Sequence, residues 1–368
     1  MIIKSEAINL DNIYILTFHF TTNYGASLQS YALYKYLKNK KLNVKVVDYR
    51  SENMKDRLYW TRALKKGNIN ALIYSPIIAL RKLKFKRFNN KYITFSNRCS
   101  SIQDIQDLPS PFAFICGSDQ IWNPEITNGL DDAYFANFES PAIKVAYAGS
   151  VGKDEISDDL AVDLVDRVDQ MNYIGIREKY LQNKLYSHGY KNITHVLDPT
   201  FLISKSCYQQ ILKPTKQNNY VLIYAMSNTE KCIEIGKYIA KIHNLKTILV
   251  KGIKKKGVDD VAMSPSPEQF LGLIQNADFI ITSSFHGLAF SLIFEKQFYC
   301  VGSSEGRSSR LVDLLDSTDL YPRLVNNTYD CNKPSINYSN VNVKLNYLKE
   351  ISQKFLDNAL CKETYHSK

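Results

Sequence analysis

The sequence predicts an α/β fold in which two doubly wound parallel sheets face each other across a cleft. Short apolar runs rich in β-branched and aromatic residues alternate with longer segments of helical periodicity over most of the 368 residues. The stretch 198–219 holds two prolines and no strong strand or helix pattern, and it divides the series in two. A chain of this length forms two domains more often than one.

The first series opens with a β–α–β unit, in which a predicted helix over 25–40 joins strands over 13–20 and 43–49. An insertion rich in Lys and Arg follows, and the alternation then resumes. Later strands of this half are predicted at 112–117, 142–150, 172–178 and 192–198, and later helices at 156–171 and 179–189. These elements are typical of a Rossmann-like domain.

The second series repeats the pattern. Its strands are predicted at 220–227, 246–251, 278–284 and 298–302, and its helices at 229–244, 266–277 and 287–296. One helix start is marked clearly, because Ser266 can act as N-cap, Pro267 takes the first helical position and Gln269 follows three residues after the cap. His286 then falls at the carboxyl end of a buried strand and in the first turn of the next helix.

These patterns predict the domain limits. We place an N-terminal Rossmann-like domain at 1–205, with a basic insertion at about 50–103, and a C-terminal Rossmann-like domain at 206–330. The last segment, 331–368, has helical spacing, and we expect it to pack back on the first domain.

The excess of positive charge lies in one segment. The net charge is +11, and the residues from Arg57 to Gln103 contain eleven Lys or Arg and no Asp or Glu, so the rest of the chain is balanced. Within this segment an apolar run precedes a dense basic cluster at 81–87, a pairing typical of a helix on an anionic membrane surface. A solvated helical insertion with its apolar residues against the core is an equally open reading. A basic patch alone is weak evidence for nucleic acid, and we predict no nucleic-acid partner.

Several functional classes are not supported. The first residues lack the apolar core of a signal peptide and no apolar run of about 18 residues is present, so we expect a cytoplasmic protein, peripheral to the inner membrane face if the basic segment docks there. Neither GxxxxGK[ST] nor GxGxxG occurs, which argues against P-loop and typical nicotinamide enzymes. The seven cysteines are scattered, and no metal-ligand spacing is visible, so no metal and no cofactor is predicted.

Five stretches with polar or glycine residues follow predicted strands. They are 18–29, 116–124, 147–152, 175–178 and 283–287. Because the carboxyl ends of parallel strands meet at one edge of a sheet, and ligands of open α/β sheets bind there, we expect one shared crevice.

The first two stretches suggest contacts to a small polar ligand. Gly25 would let the backbone approach a ligand and Asn23 would supply an amide, although an ordinary turn explains both residues equally well. The second stretch combines polar groups with an indole, which suits a sugar, whereas Asp119 as a helix cap is the plain alternative. Its candidate residues are Ser118, Asp119, Gln120, Trp122 and Asn123.

The remaining candidates are cations and a histidine. Arg177 ends an apolar strand, where it can bind a carboxylate or phosphate ligand or pair with Glu178 or Asp198. His286 suits proton exchange near an anion, because the helix amino end disfavours the protonated imidazole whereas a nearby phosphate favours it. It can equally be a hydrogen-bonded core residue. Arg307 and Arg310 follow the next strand and can reach the same anion or lie in a solvated loop.

Taken together, these stretches resemble the polysaccharide pyruvyl transferase family, in order and spacing, from about residue 13 to 320. The matching residues are Asn23-Tyr24-Gly25-Ala26, Leu28-Gln29, Tyr31-Ala32-Leu33, Gly117-Ser118-Asp119-Gln120, Trp122-Asn123, Tyr147-Ala148, Arg177-Glu178, Leu197-Asp198-Pro199-Thr200, Ala277-Asp278 and Ser284-Phe285-His286-Gly287. The family often has an acidic residue just before Ser-Phe-His-Gly, where this chain has Ser283. The basic insertion and the last fifty residues lie outside the resemblance.

The resemblance implies a glycosyltransferase GT-B-like architecture and transfer of a pyruvyl group from phosphoenolpyruvate to two hydroxyls of a sugar, as a cyclic ketal, in a cell-surface polysaccharide precursor carried on polyprenyl diphosphate. It implies that His286 is the acid/base or a phosphate contact and that Arg177 binds the donor, with Asp119 as a base or acceptor ligand. Further donor contacts are expected from Ser284, Asn23, Gly25, Ser118, Arg307 and Arg310, and acceptor contacts from Asp119, Gln120, Trp122 and Asn123.

Two other functions stay open at this point. A nucleotide-sugar glycosyltransferase of surface polysaccharide synthesis has the same two-domain shape, and fold alone does not fix function. A membrane-associated scaffold without activity would use only the basic segment.

Overall fold

A computed structural model describes residues 9–51, 69–251, 255–302 and 309–361. The first of its two sheets has seven strands in the order β3-β2-β1-β4-β5-β6-β7, and every pair is parallel. Its strands are β1 (Asn9–Leu16), β2 (Asn43–Tyr49), β3 (Phe95–Cys99), β4 (Pro111–Cys116), β5 (Ile143–Gly149), β6 (Tyr173–Ile176) and β7 (Thr194–His195).

The second sheet has six strands in the order β10-β9-β8-β11-β12-β13, again all parallel. Its strands are β8 (Tyr220–Tyr224), β9 (Lys246–Lys251), β10 (Asp260–Met263), β11 (Phe279–Thr282), β12 (Gln297–Val301) and β13 (Leu324–Val325). In both sheets the strand order reverses beside the first strand, which opens a crevice at the carboxyl ends.

Helices cover both sheets. They are α1 (Tyr24–Asn39), α2 (Ile69–Tyr92), α3 (Ile102–Gln106), α4 (Pro124–Thr127), α5 (Asp158–Val168), α6 (Lys179–Ser187), α7 (Lys205–Gln209), α8 (Thr229–His243), α9 (Pro267–Asn276), α10 (Phe285–Ile293), α11 (Ser309–Ser317) and α12 (Tyr338–Ala359). Because both faces are covered, central strands such as β4 and β11 are buried at every position. The predicted α/β class with two doubly wound sheets is confirmed.

The start of α9 illustrates how local sequence sets these elements. The Ser266 hydroxyl accepts from the Gln269 N–H, and the Gln269 side chain accepts from the Ser266 N–H, while Pro267 occupies the first turn. The predicted capping box is therefore confirmed, and it fixes where the chain enters the helix.

Several elements differ from the predictions. The first strand ends at Leu16, so residues 17–20 leave the sheet before α1. The predicted strand over 192–198 is reduced to Thr194–His195, because it lies at the sheet edge and the chain turns at Asp198-Pro199. The short strand Phe95–Cys99, inside the basic segment, was not predicted; two of its five residues are exposed, so it lacks a buried-strand pattern.

The last helix, α12, contacts both halves of the molecule. Near its start, Asn342 donates to Glu295 of the second half. Near its end, the Ser352 hydroxyl accepts from the Leu197 N–H at 2.8 Å and the Phe355 ring lies 6.2 Å from that of Tyr147, both in the first half. The limits 1–205, 206–330 and 331–368 stay a prediction, since a helix that bridges both sheets belongs to neither alone.

The structure places α2 between the two sheets as well. Phe85 and Phe88 of this helix are buried in the same core as residues of α1 and α9. Residues 57–68 of the basic segment lie outside the described residues. Among the helices that the structure describes, none combines the length and apolar character needed to cross a membrane.

Candidate active site

The crevice between the sheets brings together three of the residues singled out in the sequence. Arg177 and Asp198 follow strands β6 and β7 of the first sheet, and His286 lies in the first turn of α10, directly after β11 of the second. The His286 Nε2 atom lies 3.6 Å from the Asp198 Oδ2 atom. The two halves of the chain therefore meet at a histidine facing a carboxylate.

Arg177 is fully engaged within the protein. Its Nη1 group donates to Asp198 Oδ2 at 2.9 Å and to Ser118 Oγ at 3.4 Å. Its Nη2 group donates to Ser150 Oγ at 2.7 Å and to Glu178 Oε1 at 3.3 Å, and Nε donates to the same Glu178 oxygen at 3.4 Å. Burial lowers the pKa of Arg177, but the charges of Glu178 and Asp198 outweigh it and raise that pKa above its ordinary value.

This network shows the alternative left open by the sequence, in which Arg177 pairs with Glu178 and Asp198, and donor binding by Arg177 stays a prediction. A guanidinium has five N–H donors, and those of Arg177 all face protein oxygens, with only 3% of the side chain exposed. A ligand anion would have to displace a buried carboxylate to reach it. Arg177 therefore orders the site, and Ser118, which is fully buried between Arg177 and Asp198, does the same instead of contacting a ligand.

Asp198 is an ionised carboxylate at the centre of the crevice. Its Oδ1 atom accepts from the N–H and the hydroxyl of Thr200, at 3.0 and 2.8 Å. Burial would raise the pKa of Asp198, but the neighbouring His286 and Arg177 together with the Thr200 N–H lower it below its usual range. The residue therefore presents a negative charge to the imidazole of His286 throughout the neutral pH range.

His286 has an unsatisfied ring nitrogen. Its side chain is 8% exposed, and Nε2 is buried without a hydrogen-bond partner among the described residues. Ser284 occupies the N-cap position of α10 but makes no side-chain cap bond. The N–H groups of the first turn are thus not capped by a side chain, and they offer hydrogen bonds to an anion.

Gly25 makes room for His286. A Cβ atom built on Gly25 would overlap with the His286 ring, which lies against the first turn of α1. The predicted role of Gly25, backbone approach to a ligand, is therefore corrected: the close approach is to the histidine of the other half. Asn23 caps α1, because its side-chain oxygen accepts from the Gly25 N–H at 2.8 Å.

Gly25→Ala is expected to displace the His286 ring and destabilise the protein by about 1–3 kcal/mol, because a methyl group would be forced into filled space. In a His286→Ala background the same change should cost little, since the overlapping atoms are gone. Urea unfolding of the two single variants and the double variant measures this coupling. Equal costs in both backgrounds would show that the histidine is not the obstacle.

In the stretch after β4, some of the predicted acceptor contacts have structural roles and others lie partly exposed at the crevice. Trp122 is fully buried, donates to the Tyr134 carbonyl oxygen and stacks on Phe135 with ring centroids 5.1 Å apart. The prediction that it contacts a sugar is wrong, since neither its N–H nor its ring face is free. Asn123 caps α4 by accepting from the Glu125 N–H at 3.0 Å, so it too has a structural role.

Asp119 and Gln120 remain partly exposed at the crevice. Asp119 has a φ of +68°, a left-handed conformation that is uncommon for a residue with a Cβ and is tolerated best by Asn and Asp. Such conformations are concentrated at functional sites. No helix starts at Asp119, so the alternative of a capping role does not apply.

Arg310 is the second cation of the crevice. Its guanidinium lies 3.2 and 3.3 Å from the amide group of Gln120 in the opposite half of the molecule. Burial and the positive charge of Arg177 lower the pKa of Arg310. A partly buried cation beside another cation is stabilised by an anion, which favours the anion contact predicted for Arg310; that contact stays a prediction. Arg307 lies outside the described residues.

Residues 23–305, more than half of the chain, match the sequence model of the polysaccharide pyruvyl transferase family. The chain belongs to the polysaccharide pyruvyl transferase family. A search of the curated proteins gave no match.

Solved structures resemble this family member in fold. A protein of Listeria monocytogenes, provisionally named a UDP-N-acetylglucosamine 2-epimerase, matches with a TM-score of 0.52 at 9% identity, over 94% of this chain and 90% of that chain. Methanocaldococcus jannaschii UDP-GlcNAc 2-epimerase in complex with UDP-GlcNAc and UDP has a TM-score of 0.43 at 12% identity, over 91% and 92%. E. coli heptosyltransferase WaaC with ADP has 0.38 at 13% identity, over 79% and 87%. The likeness to the Listeria protein concerns the fold alone and, together with the two parallel sheets, it confirms the GT-B-like arrangement of two Rossmann-like domains.

Ser283, where the family often has an acidic residue, retains a structural role. Its hydroxyl accepts from the N–H groups of Met226 and Ser227, both at 3.1 Å, and donates to the Ser227 carbonyl oxygen. A carboxylate at this position could accept the same two N–H groups. The substitution therefore preserves the turn after β8 in this family member.

Sequence reasoning missed the full extent of the buried network. Ser150 was not proposed, although it donates to Glu178 and accepts from Arg177, and Phe285, whose ring lies 4.9 Å from the Arg177 guanidinium carbon, was read only as part of a motif. Asp198 was named as a possible partner of Arg177 but not as a site residue. Its position directly after the last strand of the first sheet was the available signal.

Little empty space is left around this network. A cavity of about 20 Å³, roughly one water molecule, is bordered by Arg177, Asp198, Phe285 and Arg310. Within the described part of the chain, no group of three or more His, Cys, Asp or Glu side chains could hold a metal ion.

Proposed function

We propose that this protein transfers a pyruvyl group from phosphoenolpyruvate to two hydroxyls of one sugar in a cell-surface polysaccharide precursor, forming a cyclic ketal. Membership of the pyruvyl transferase family supports the class of reaction. The observation that carries the assignment is the buried imidazole of His286, whose Nε2 faces Asp198 at 3.6 Å without a hydrogen bond, at an amino end of a helix that no side chain caps.

The reaction needs an acid, a base and cations. In the first step a proton is added to C3 of the enol as one sugar hydroxyl bonds to C2, and that hydroxyl loses its proton to a base. In the second step the C2–O bond to phosphate breaks, the second hydroxyl bonds to C2 and loses its proton, and inorganic phosphate is released. A positioned acid and positive groups around the phosphate lower both barriers.

The described residues can fill these roles. His286 would donate the proton to C3, with the Asp198 carboxylate stabilising the charged imidazole. Arg310 and the first turn of α10, including Ser284, would hold the donor's phosphate or carboxylate. Asp119, with Gln120 beside it, would accept the hydroxyl proton or bind the acceptor. Arg177 would act by positioning Asp198. No cofactor takes part, because phosphoenolpyruvate is itself the donor substrate.

The acceptor sugar would be carried on polyprenyl diphosphate, and the protein would then work at the inner face of the membrane. The basic segment supports this part of the proposal, since a lipid-linked substrate requires the cleft to be near a bilayer.

Incubation with phosphoenolpyruvate and a panel of galactosides, mannosides and glucosamine derivatives tests the reaction. Phosphate release together with a product mass equal to acceptor plus pyruvate minus water is the expected result. Release of phosphate without an acceptor adduct would reduce the activity to hydrolysis and contradict the proposal.

Ligand-dependent unfolding separates the proposal from a nucleotide-sugar glycosyltransferase. Phosphoenolpyruvate at about 100 times its dissociation constant should stabilise the folded protein by about 2.7 kcal/mol, and UDP-glucose should not. Thermal unfolding with each ligand measures this. Stabilisation by the nucleotide sugar alone would favour the glycosyltransferase, and stabilisation by neither would favour a scaffold.

A further inference from the structure

One side of α2 combines exposed leucines with cations. Leu80 and Leu83 are 48% and 42% exposed, and because they are three residues apart they lie side by side on the helix surface. We call this side the outer face of α2. It consists of Ala79, Leu80, Lys82, Leu83, Lys86 and Arg87, all of them exposed.

The outer face is distinct from the side that packs. At about 100° per residue, its six residues cover roughly half of the helix circumference, with Leu83 near the middle. Phe85 and Phe88 point to the core. Arg81 and Lys84 also point inward: Arg81 donates to the Thr22 carbonyl oxygen at 2.8 Å.

The position of α2 relates its outer face to the crevice. The Thr22 carbonyl bonded by Arg81 directly precedes the first turn of α1, which touches His286. Lys84 donates to the Ser264 carbonyl oxygen at 2.9 Å, just before α9 of the second sheet. The helix therefore spans the boundary between the two sheets, with its outer face turned away from both.

The charge of the outer face favours an anionic partner. It carries three cations and no acid, and no carboxylate of the described residues lies within ion-pair distance of Lys82, Lys86 or Arg87. Leucines that enter the interfacial layer and cations that meet lipid phosphates are the two contacts by which a helix lies on an anionic bilayer.

We propose that the outer face of α2 docks the protein on an anionic membrane surface. The contact would place the boundary between the two sheets close to the bilayer. Docking itself does not depend on the reaction; only its purpose, access to a lipid-linked acceptor, rests on the proposed function.

The test is flotation of the full chain with vesicles, without either substrate, so that its result is independent of the activity assay. Vesicles of phosphatidylglycerol and phosphatidylcholine in equal parts should bind the protein, and pure phosphatidylcholine should not. At about fivefold per charge, the variant K82Q/K86Q/R87Q should bind on the order of a hundredfold more weakly. The variant L80Q/L83Q should also lose binding.

The matched control removes three exposed lysines from α8, as K231Q/K237Q/K241Q, and should bind like the wild type. An equal loss in this control would show that net charge alone matters and would overturn the proposal. Full binding by either outer-face variant, or no binding by the wild type, would overturn it as well. A face-dependent shift of a DNA duplex without vesicle binding would assign the face to nucleic acid instead.

Discussion

His286→Ala is expected to lower the rate of phosphate release from phosphoenolpyruvate and acceptor by about 10²–10⁴-fold, the usual contribution of a positioned acid or base. The residue sits where the two halves meet, its Nε2 faces Asp198 without a hydrogen bond, and the sequence between β11 and β12 contains no other histidine. The measurement is steady-state phosphate release with the acceptor found in the sugar panel, with circular dichroism to show that the variant is folded.

His243→Ala provides the matched control. This histidine is exposed at the end of α8, and its loss should leave turnover unchanged. If phosphoenolpyruvate still stabilises the folded His286→Ala variant against thermal unfolding, proton transfer is the main role of His286. If that stabilisation is lost, the main role is phosphate binding. Turnover within about twofold of the wild type would remove His286 from the mechanism, since even a weak acid contributes more than that.

Arg177→Ala is expected to have the largest effect on stability, lowering the free energy of unfolding by about 3–5 kcal/mol. The variant would leave Asp198 and Glu178 as buried carboxylates without the cation that they share, and both side chains are 0% exposed. Urea unfolding followed by circular dichroism measures the change. Activity should fall too, because Asp198 would no longer be held against His286.

Arg167→Ala is the corresponding control. Arg167 pairs with Asp132 at 3.0 Å, but both side chains are substantially exposed, so its loss should cost about 0–1 kcal/mol. If Arg177→Ala were as stable as this control and only weakened phosphoenolpyruvate binding, the buried network would be dispensable and direct donor binding by Arg177 would be supported.

The sequence was sufficient for the fold because hydrophobic periodicity and strand–helix alternation are local properties. The helix start at Ser266 and the position of His286 in the first turn of α10, just after β11, followed from a few neighbouring residues. The strand Phe95–Cys99 was missed because only its pairing with β2 makes it a strand, and that pairing is not visible in a half-exposed, polar segment.

The site was predicted less completely, because side-chain direction depends on packing between distant segments. Arg177 could have faced either a ligand or the two acids; the proximity of Asp198, 21 residues later, decided for the acids. Trp122 stands among polar residues in the sequence, yet its ring packs on Phe135 and against Gly149. Within α2, the sequence gives no reason to distinguish Arg81 and Lys84 from Lys82 and Lys86, since all four belong to one basic cluster. Only the orientation of the helix turns the first two inward and the other two outward.

The bond between Ser352 and Leu197 carries a consequence for how members of this family are compared. Leu197 immediately precedes Asp198, and its N–H and carbonyl groups are fixed by Ser352 and by the Tyr147 hydroxyl. Ser352 lies beyond residue 305, where the family match stops. Helix α12 thus helps to fix the position of the Asp198 carboxylate. An alignment trimmed to residues 23–305 would omit Ser352, and a protein shortened to that segment would lack the Ser352–Leu197 hydrogen bond.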